Sequence, residues 1–198
     1  MRRTVGRTAG PPDRPNFTAL DTQTALSLLA AAVPAEPGVW ADLGAGSGTF
    51  TRALVELLGP TSRIYAVDRD AGAVKTLARW AEREAPNVVA VRADITEPFV
   101  LPDVRHASLD GLLLANVLHY VADPAPVLRQ LGRLLGPRGR VVVIEYDRRA
   151  ANPWVPYPIP IARLAGLFAE SGFTAPTITG RRPSAFSGDL YVAVMERR

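Results

Sequence analysis

Apolar positions along the chain change their period several times, and each change marks an element. Residues 20–33 carry alanine and leucine at helical spacing behind Asp21, a suitable N-cap, until the Pro-rich segment 34–38 breaks the run. Val39-Trp40-Ala41 predicts a short strand that leads into a glycine-rich loop. Residues 49–58 return to helical period, with Phe50, Ala53, Leu54, Leu57 and Leu58 on one side and Gly59-Pro60 as the stop. A strand over 63–67, a helix over 71–84 and a strand over 88–92 follow. Residues 95–108, with Pro98 and Pro102, read as a connection. The near-continuous apolar run 109–115 then reads as a strand buried on both faces.

Asp123-Pro124 predicts a helix start with proline at the first helical position. That helix is expected to reach Leu135, with Gly136-Pro137-Arg138-Gly139 turning the chain into a fifth strand over 140–146. Strands alternating with helices imply a parallel, doubly wound α/β sheet. The C-terminal part departs from this rhythm. Segment 147–160 is rich in proline and aromatics, a helix over 161–171 stops at Gly172, and strands are expected near 173–179 and 189–196. No helix fits between those last two, so they should pair antiparallel at the far side of the sheet.

Composition narrows the function classes. Hydrophobic residues make up 47% and charged residues 21%, enough to build a sizeable core. No apolar run is long enough for a membrane helix, and no apolar signal core follows Met1-Arg2-Arg3, which points to the cytoplasm. The absence of cysteine excludes disulfides, thiolate metal sites and cysteine nucleophiles. With only His106 and His119, no histidine-rich metal site is expected either. The net charge of +4 resides mostly in residues 1–15, where Arg2, Arg3, Arg7 and Arg14 stand against Asp13. This segment is expected to be a disordered basic arm, and 16–198 a single, nearly neutral domain. A neutral body argues against an RNA partner, because phosphate binding needs a basic face.

The segment Asp42-Leu43-Gly44-Ala45-Gly46-Ser47-Gly48 joins the first predicted strand to the first helix of the alternating region. Glycines there let a ligand approach the backbone at the carboxyl end of the sheet. Asp68, at the end of the next strand, is placed to accept hydrogen bonds from ribose hydroxyls. A dinucleotide site would show Gly-x-Gly-x-x-Gly, whereas this chain has Gly-x-Gly-x-Gly behind an acid. Asp42 would repel a pyrophosphate but attract an ammonium. S-adenosylmethionine carries an ammonium and a sulfonium and has no phosphate.

On these residues the chain resembles the class I S-adenosylmethionine-dependent methyltransferases, in their small-molecule branch, over about 38–198. Ala41 through Gly48 resembles the family's first motif, and Tyr65-Ala66-Val67-Asp68 its second. Arg92-Ala93-Asp94-Ile95 resembles the third-strand acid segment. Ser108 through Gly111, continuing to Asn116-Val117-Leu118-His119-Tyr120, resembles the fourth-strand segment, and Leu134 through Arg140 the turn before strand five. The resemblance implies a Rossmann-like, doubly wound, seven-stranded sheet, mostly parallel with an antiparallel C-terminal strand. It also implies S-adenosylmethionine as cofactor and a small-molecule methyl acceptor. Asp42 and the backbone of Gly44, Ala45 and Gly46 would hold the methionine end. Asp68 would hold the ribose, Arg69 the adenine edge, and Asp94 and Ile95 the adenine amine and ring. Asn116 would stand beside the methionine moiety.

The acceptor is narrowed mainly by exclusion. Without cysteine, covalent attack on pyrimidine carbon 5 is closed. Asn116-Val117-Leu118-His119 lacks the Asn/Asp-Pro-Pro-aromatic signature of enzymes acting on planar amide or adenine nitrogens. His119 either serves as base or acceptor-orienting group or is a packed helix residue. Tyr146, Trp154 and Tyr157 either stack on a planar substrate or belong to a Pro-rich loop packed on the body, with Phe17 and Tyr120 as further candidates to close the pocket. Arg148, Arg149, Arg181 and Arg182 either meet an anionic acceptor or are plain surface residues; His106 is expected to be solvated. Three rivals stand beside this reading. They are an RNA or protein acceptor, a nicotinamide oxidoreductase and a non-catalytic S-adenosylmethionine-binding module. Lys75 is the only lysine, which rules out a Tyr-x-x-x-Lys hydride-transfer pair.

Overall fold

The structure is a computed structural model that describes residues 20–104, 107–147, 150–183 and 188–198. The basic arm, Phe17, His106, Arg148 and Arg149 lie outside the described residues.

Helix α1 (Thr22–Leu29) is followed by β1 (Val39–Leu43), α2 (Thr49–Leu58), β2 (Arg63–Asp68), α3 (Ala71–Glu84) and β3 (Val88–Arg92). Then come β4 (Leu109–Ala115), a single 3-10 turn at Leu118–Tyr120, α4 (Pro124–Gly132), β5 (Leu135–Asp147) and α5 (Ile161–Glu170). The chain ends with β6 (Thr177–Pro183) and β7 (Asp189–Glu196). The sheet has seven strands in the order β3-β2-β1-β4-β5-β7-β6. The first five strands pair parallel; β7 runs antiparallel to both β5 and β6. Strand order reverses between β1 and β4, so their carboxyl ends open the crevice where α/β sheets bind ligands.

Alternation along β4 explains its unbroken apolar run. Leu112 and Leu114 enter a core with α4 and α5, while Leu113 and Ala115 enter a second core with α1, α2 and α3. Gly111 sits on that strand because the ring of Trp40 lies where a Cβ would project.

Several boundaries move from their sequence expectation. Asp21 does cap α1, accepting from the Thr24 N–H at 2.7 Å, but the helix ends at Leu29 and 30–33 close it in tight turns. Helix α4 ends at Gly132, against whose Cα the ring of Phe173 packs. Leu135 already pairs with Leu109, so the expected turn 136–139 is an irregularity inside β5, between the Leu109↔Leu135 and Gly111↔Arg140 pairs. The strand expected near 173–179 starts later, at Thr177, because Phe173 drops into the core beside Phe168.

Candidate active site

The glycine loop is tied to the neighbouring strand before any ligand is considered. Gly44 and Ala45 both donate their N–H to the Val67 carbonyl, at 2.8 and 3.0 Å. Gly46 donates to Asp68 Oδ2 at 2.7 Å, and Asp70 donates to Asp68 Oδ1 at 2.8 Å. Gly44, Gly46 and Gly48 have φ of 79°, 52° and 85°, the left-handed region where only glycine is unstrained. A Cβ at Gly44 would also lie 2.5 Å from Val117, and one at Gly48 would strike Leu77. The loop is thus clamped between β2, α3 and the segment after β4.

Asp42 lies beneath this loop, 1% exposed, and accepts a 2.6 Å hydrogen bond from the Thr51 hydroxyl at the start of α2. Burial pushes its carboxyl up to about 7 against the opposing pull of that hydrogen bond, and the charge of Asp68 adds to the rise. Asp94 follows β3 and accepts from both the N–H and the hydroxyl of Thr96, which hold it below the ordinary carboxylate range; Arg69 Nη1, 3.8 Å away, lowers it further.

Asn116 turns the chain out of β4 with φ of 55°, an uncommon conformation for a residue with a side chain. Its N–H donates to the Ile144 carbonyl at 2.8 Å, while its Oδ1 is buried without a hydrogen-bond partner. Such an atom is costly unless a ligand meets it.

One cleft brings together Gly44, Asp68, Arg69, Asp94, Ile95, Asn116 and Tyr120 from the residues singled out in the sequence, and adds Val117. Asp42, Ala45 and Gly46 support it from below and do not line it. His119 is buried beside the cleft. Its Nδ1 is 2.7 Å from Glu145 Oε2, and its backbone N–H donates to Glu145 Oε1 at 3.2 Å. The His119 ring is 4.3 Å from that of Tyr120 and 6.2 Å from that of Tyr146. Segment 150–160 is anchored here as well. Tyr157 donates its N–H to the His119 carbonyl at 3.0 Å, Tyr191 donates its hydroxyl to Ile159 at 2.7 Å, and Asp147 accepts from Ile161 N–H. Tyr120 and Tyr157 are exposed; Trp154 is half-buried in a tight turn held by Asn152.

Sequence reasoning missed Glu145, Thr51 and Val117. Glu145 had a signal: an acid closing the apolar run Val141-Val142-Val143-Ile144 needs a buried partner. Val117 had none, since its contact with Gly44 is a matter of packing across the sheet.

A family description of a methyltransferase domain matches residues 41–141, about half of the chain. An uncharacterised 37.1 kDa protein of a Streptomyces fradiae transposon is 30% identical over 77% of this chain and 48% of its own length. The 2-phytyl-1,4-naphthoquinone methyltransferase of Thermosynechococcus vestitus is 28% identical over 69% of this chain and 62% of its own. The chain thus spans about half to two thirds of the length of these relatives. The solved Burkholderia thailandensis 1,6-didemethyltoxoflavin-N1-methyltransferase, with bound 1,6-didemethyltoxoflavin and S-adenosylhomocysteine, superimposes with a TM-score of 0.71. It is 25% identical and the match covers 89% of this chain and 77% of that one.

Proposed function

The chain belongs to the methyltransferase-domain family, and on that premise we propose that it moves the methyl group of S-adenosylmethionine to a small-molecule acceptor in the cytoplasm. The observation that carries this reading is the lining of the cleft. It holds a carboxylate at the end of β2, a second after β3, and the partnerless buried oxygen of Asn116 opposite a glycine loop. That set of acceptors fits a ligand with a diol, an exocyclic amine and an ammonium.

In this reading Asp68 accepts from the ribose hydroxyls. Its two oxygens already take one N–H each, and a carboxylate has lone pairs for two more. Asp94 and Ile95 take the adenine, and Asn116 Oδ1 meets the methionine end. Asp42 acts from below, as a buried carboxyl whose ionisation a nearby ammonium favours. When bound, S-adenosylmethionine supplies a methyl group already activated by its sulfonium. The protein's own task is then to align the acceptor and take its proton.

His119 and Glu145 are built for that proton. With Glu145 accepting, His119 Nδ1 carries the hydrogen between them and Nε2 is left as the basic nitrogen. A proton leaving an acceptor hydroxyl, or another weakly acidic group, passes to Nε2. Tyr120 and Tyr146 beside this imidazole give a planar acceptor ring faces to stack on.

Methyl-labelled S-adenosylmethionine tests the proposal against a panel of hydroxylated and amino aromatic compounds, total RNA and mixed protein. Label recovered on a small molecule supports it. Label recovered only on RNA or protein contradicts it.

A further inference from the structure

Register across the end of the sheet aligns Tyr146 of β5 with Leu190 of β7, and Leu190 with Arg182 of β6. Partners in one row stand on the same face, so Tyr146 and Arg182 share a side. It is the side covered by α1, because Tyr146 and Leu190 pack into the core that α1 contributes to. The neighbouring Arg181, in the row of Tyr191, stands on the opposite side.

A second observation places Arg182 near the start of α1. Asp21, the cap of that helix, is held below the ordinary carboxylate range by its hydrogen bonds to Thr24, and the charge of Arg182 adds to the effect. Even so, Arg182 is exposed and no carboxylate among the described residues comes within 4.0 Å of it. Arg182 thus stands in the row of Tyr146 with Leu190 between them, and forms no ion pair among the described residues.

Tyr146 links this row to the chemistry. Its ring is 6.2 Å from that of His119, and Asn116 is hydrogen-bonded to the same strand at Ile144. Two strand spacings separate the backbones of Tyr146 and Arg182, about 10 Å. A planar guanidinium matches carboxylate, sulfate or phosphate oxygens in a fork.

Building on the methyltransferase reading, we infer that the acceptor carries an anionic group bound by Arg182, on the far side of Tyr146 from the atom methylated beside His119. Arg182 is a specificity residue here, distant from the reacting atoms. The probes are 6-hydroxy-2-naphthoate, whose hydroxyl and carboxylate sit at opposite ends of a planar ring system, and 2-naphthol, which lacks the carboxylate. Binding of each is measured by calorimetry to the full chain saturated with S-adenosylhomocysteine. The naphthoate should bind at least about tenfold more tightly, as a charge-assisted hydrogen bond requires. Arg182→Gln should erase the preference and Arg182→Lys keep part of it, with S-adenosylhomocysteine affinity equal in all three proteins. Equal affinities, no binding of either probe, or a preference that survives Arg182→Gln overturns the inference. Failure of S-adenosylhomocysteine itself to bind would instead sink the reading beneath it.

Discussion

His119 and Glu145 meet at 2.7 Å with side chains only 3% and 1% exposed, across 26 residues of sequence and from two different sheet positions. Glu145 also receives the His119 backbone N–H, so one carboxylate orients both the ring and the turn that carries it. Glu145→Gln keeps the shape but puts an NH2 where an acceptor stood. The imidazole must then turn its other tautomer, with hydrogen on Nε2, toward the acceptor. Methyl transfer should fall by about 100-fold or more, in the range of a lost general base. S-adenosylhomocysteine affinity should hold. Single-turnover rates and calorimetry on the same preparation check this, and an unchanged rate would reduce the pair to a structural one.

Asp42 makes stability depend on pH in a definite direction. Its folded-state carboxyl is raised from 3.8 to about 7 by burial. Below the unfolded value both states are protonated and nothing is lost. Between about 4 and 7 the unfolded chain releases a proton that the folded one keeps, so stability falls, and above about 7 the loss is complete. Asp42→Asn should therefore match the wild type near pH 4 and exceed it at pH 8, by up to about 4 kcal/mol. Urea denaturation of the two proteins at both pH values is the check. An Asn variant less stable at pH 8 would contradict the assigned burial cost.

The same carboxyl should couple to the cofactor. An ammonium close to Asp42 favours its ionised form, so binding releases a proton and affinity rises as pH passes through about 7. Calorimetry in two buffers of different ionisation enthalpy should show that release in wild type and not in Asp42→Asn.

Gly44 is constrained twice, by φ of 79° and by Val117. Gly44→Ala should destabilise the protein by about 2–5 kcal/mol, the sum of a left-handed alanine and an overpacked contact. Adding Val117→Ala should restore only the packing share. Full recovery in the double variant would mean that backbone strain contributes nothing.

Much of this was legible along the chain because local physics determined it. The amphipathic period of α2 and α3 and the glycines and prolines beyond them set those helices to the residue, and a strand buried on both faces leaves an unbroken run such as β4. The start of β5 was hidden because Gly136-Pro137-Arg138-Gly139 has turn composition, while Leu109 pairs with Leu135 across the sheet. Asp68, Asp94 and Asn116 were singled out from motif order, and one cleft contains all three. Glu145 escaped notice because its partner comes from another strand's end, and the depth of Asp42 because burial is decided by α2 folding over it. Long-range pairing leaves little trace in local period.

Whether the cleft takes an adenosyl sulfonium cofactor through Asp68 is read by calorimetric titration with S-adenosylhomocysteine, beside NAD, in wild type and Asp68→Ala. Because Asp68 also holds Gly46 and Asp70, thermal melting of the variant is recorded alongside. S-adenosylhomocysteine should bind and NAD should not, and Asp68→Ala should weaken that binding at least about tenfold in a protein that still melts cooperatively, as loss of a charged hydrogen bond requires. Tighter binding of NAD, or an affinity unchanged by Asp68→Ala, would contradict that reading.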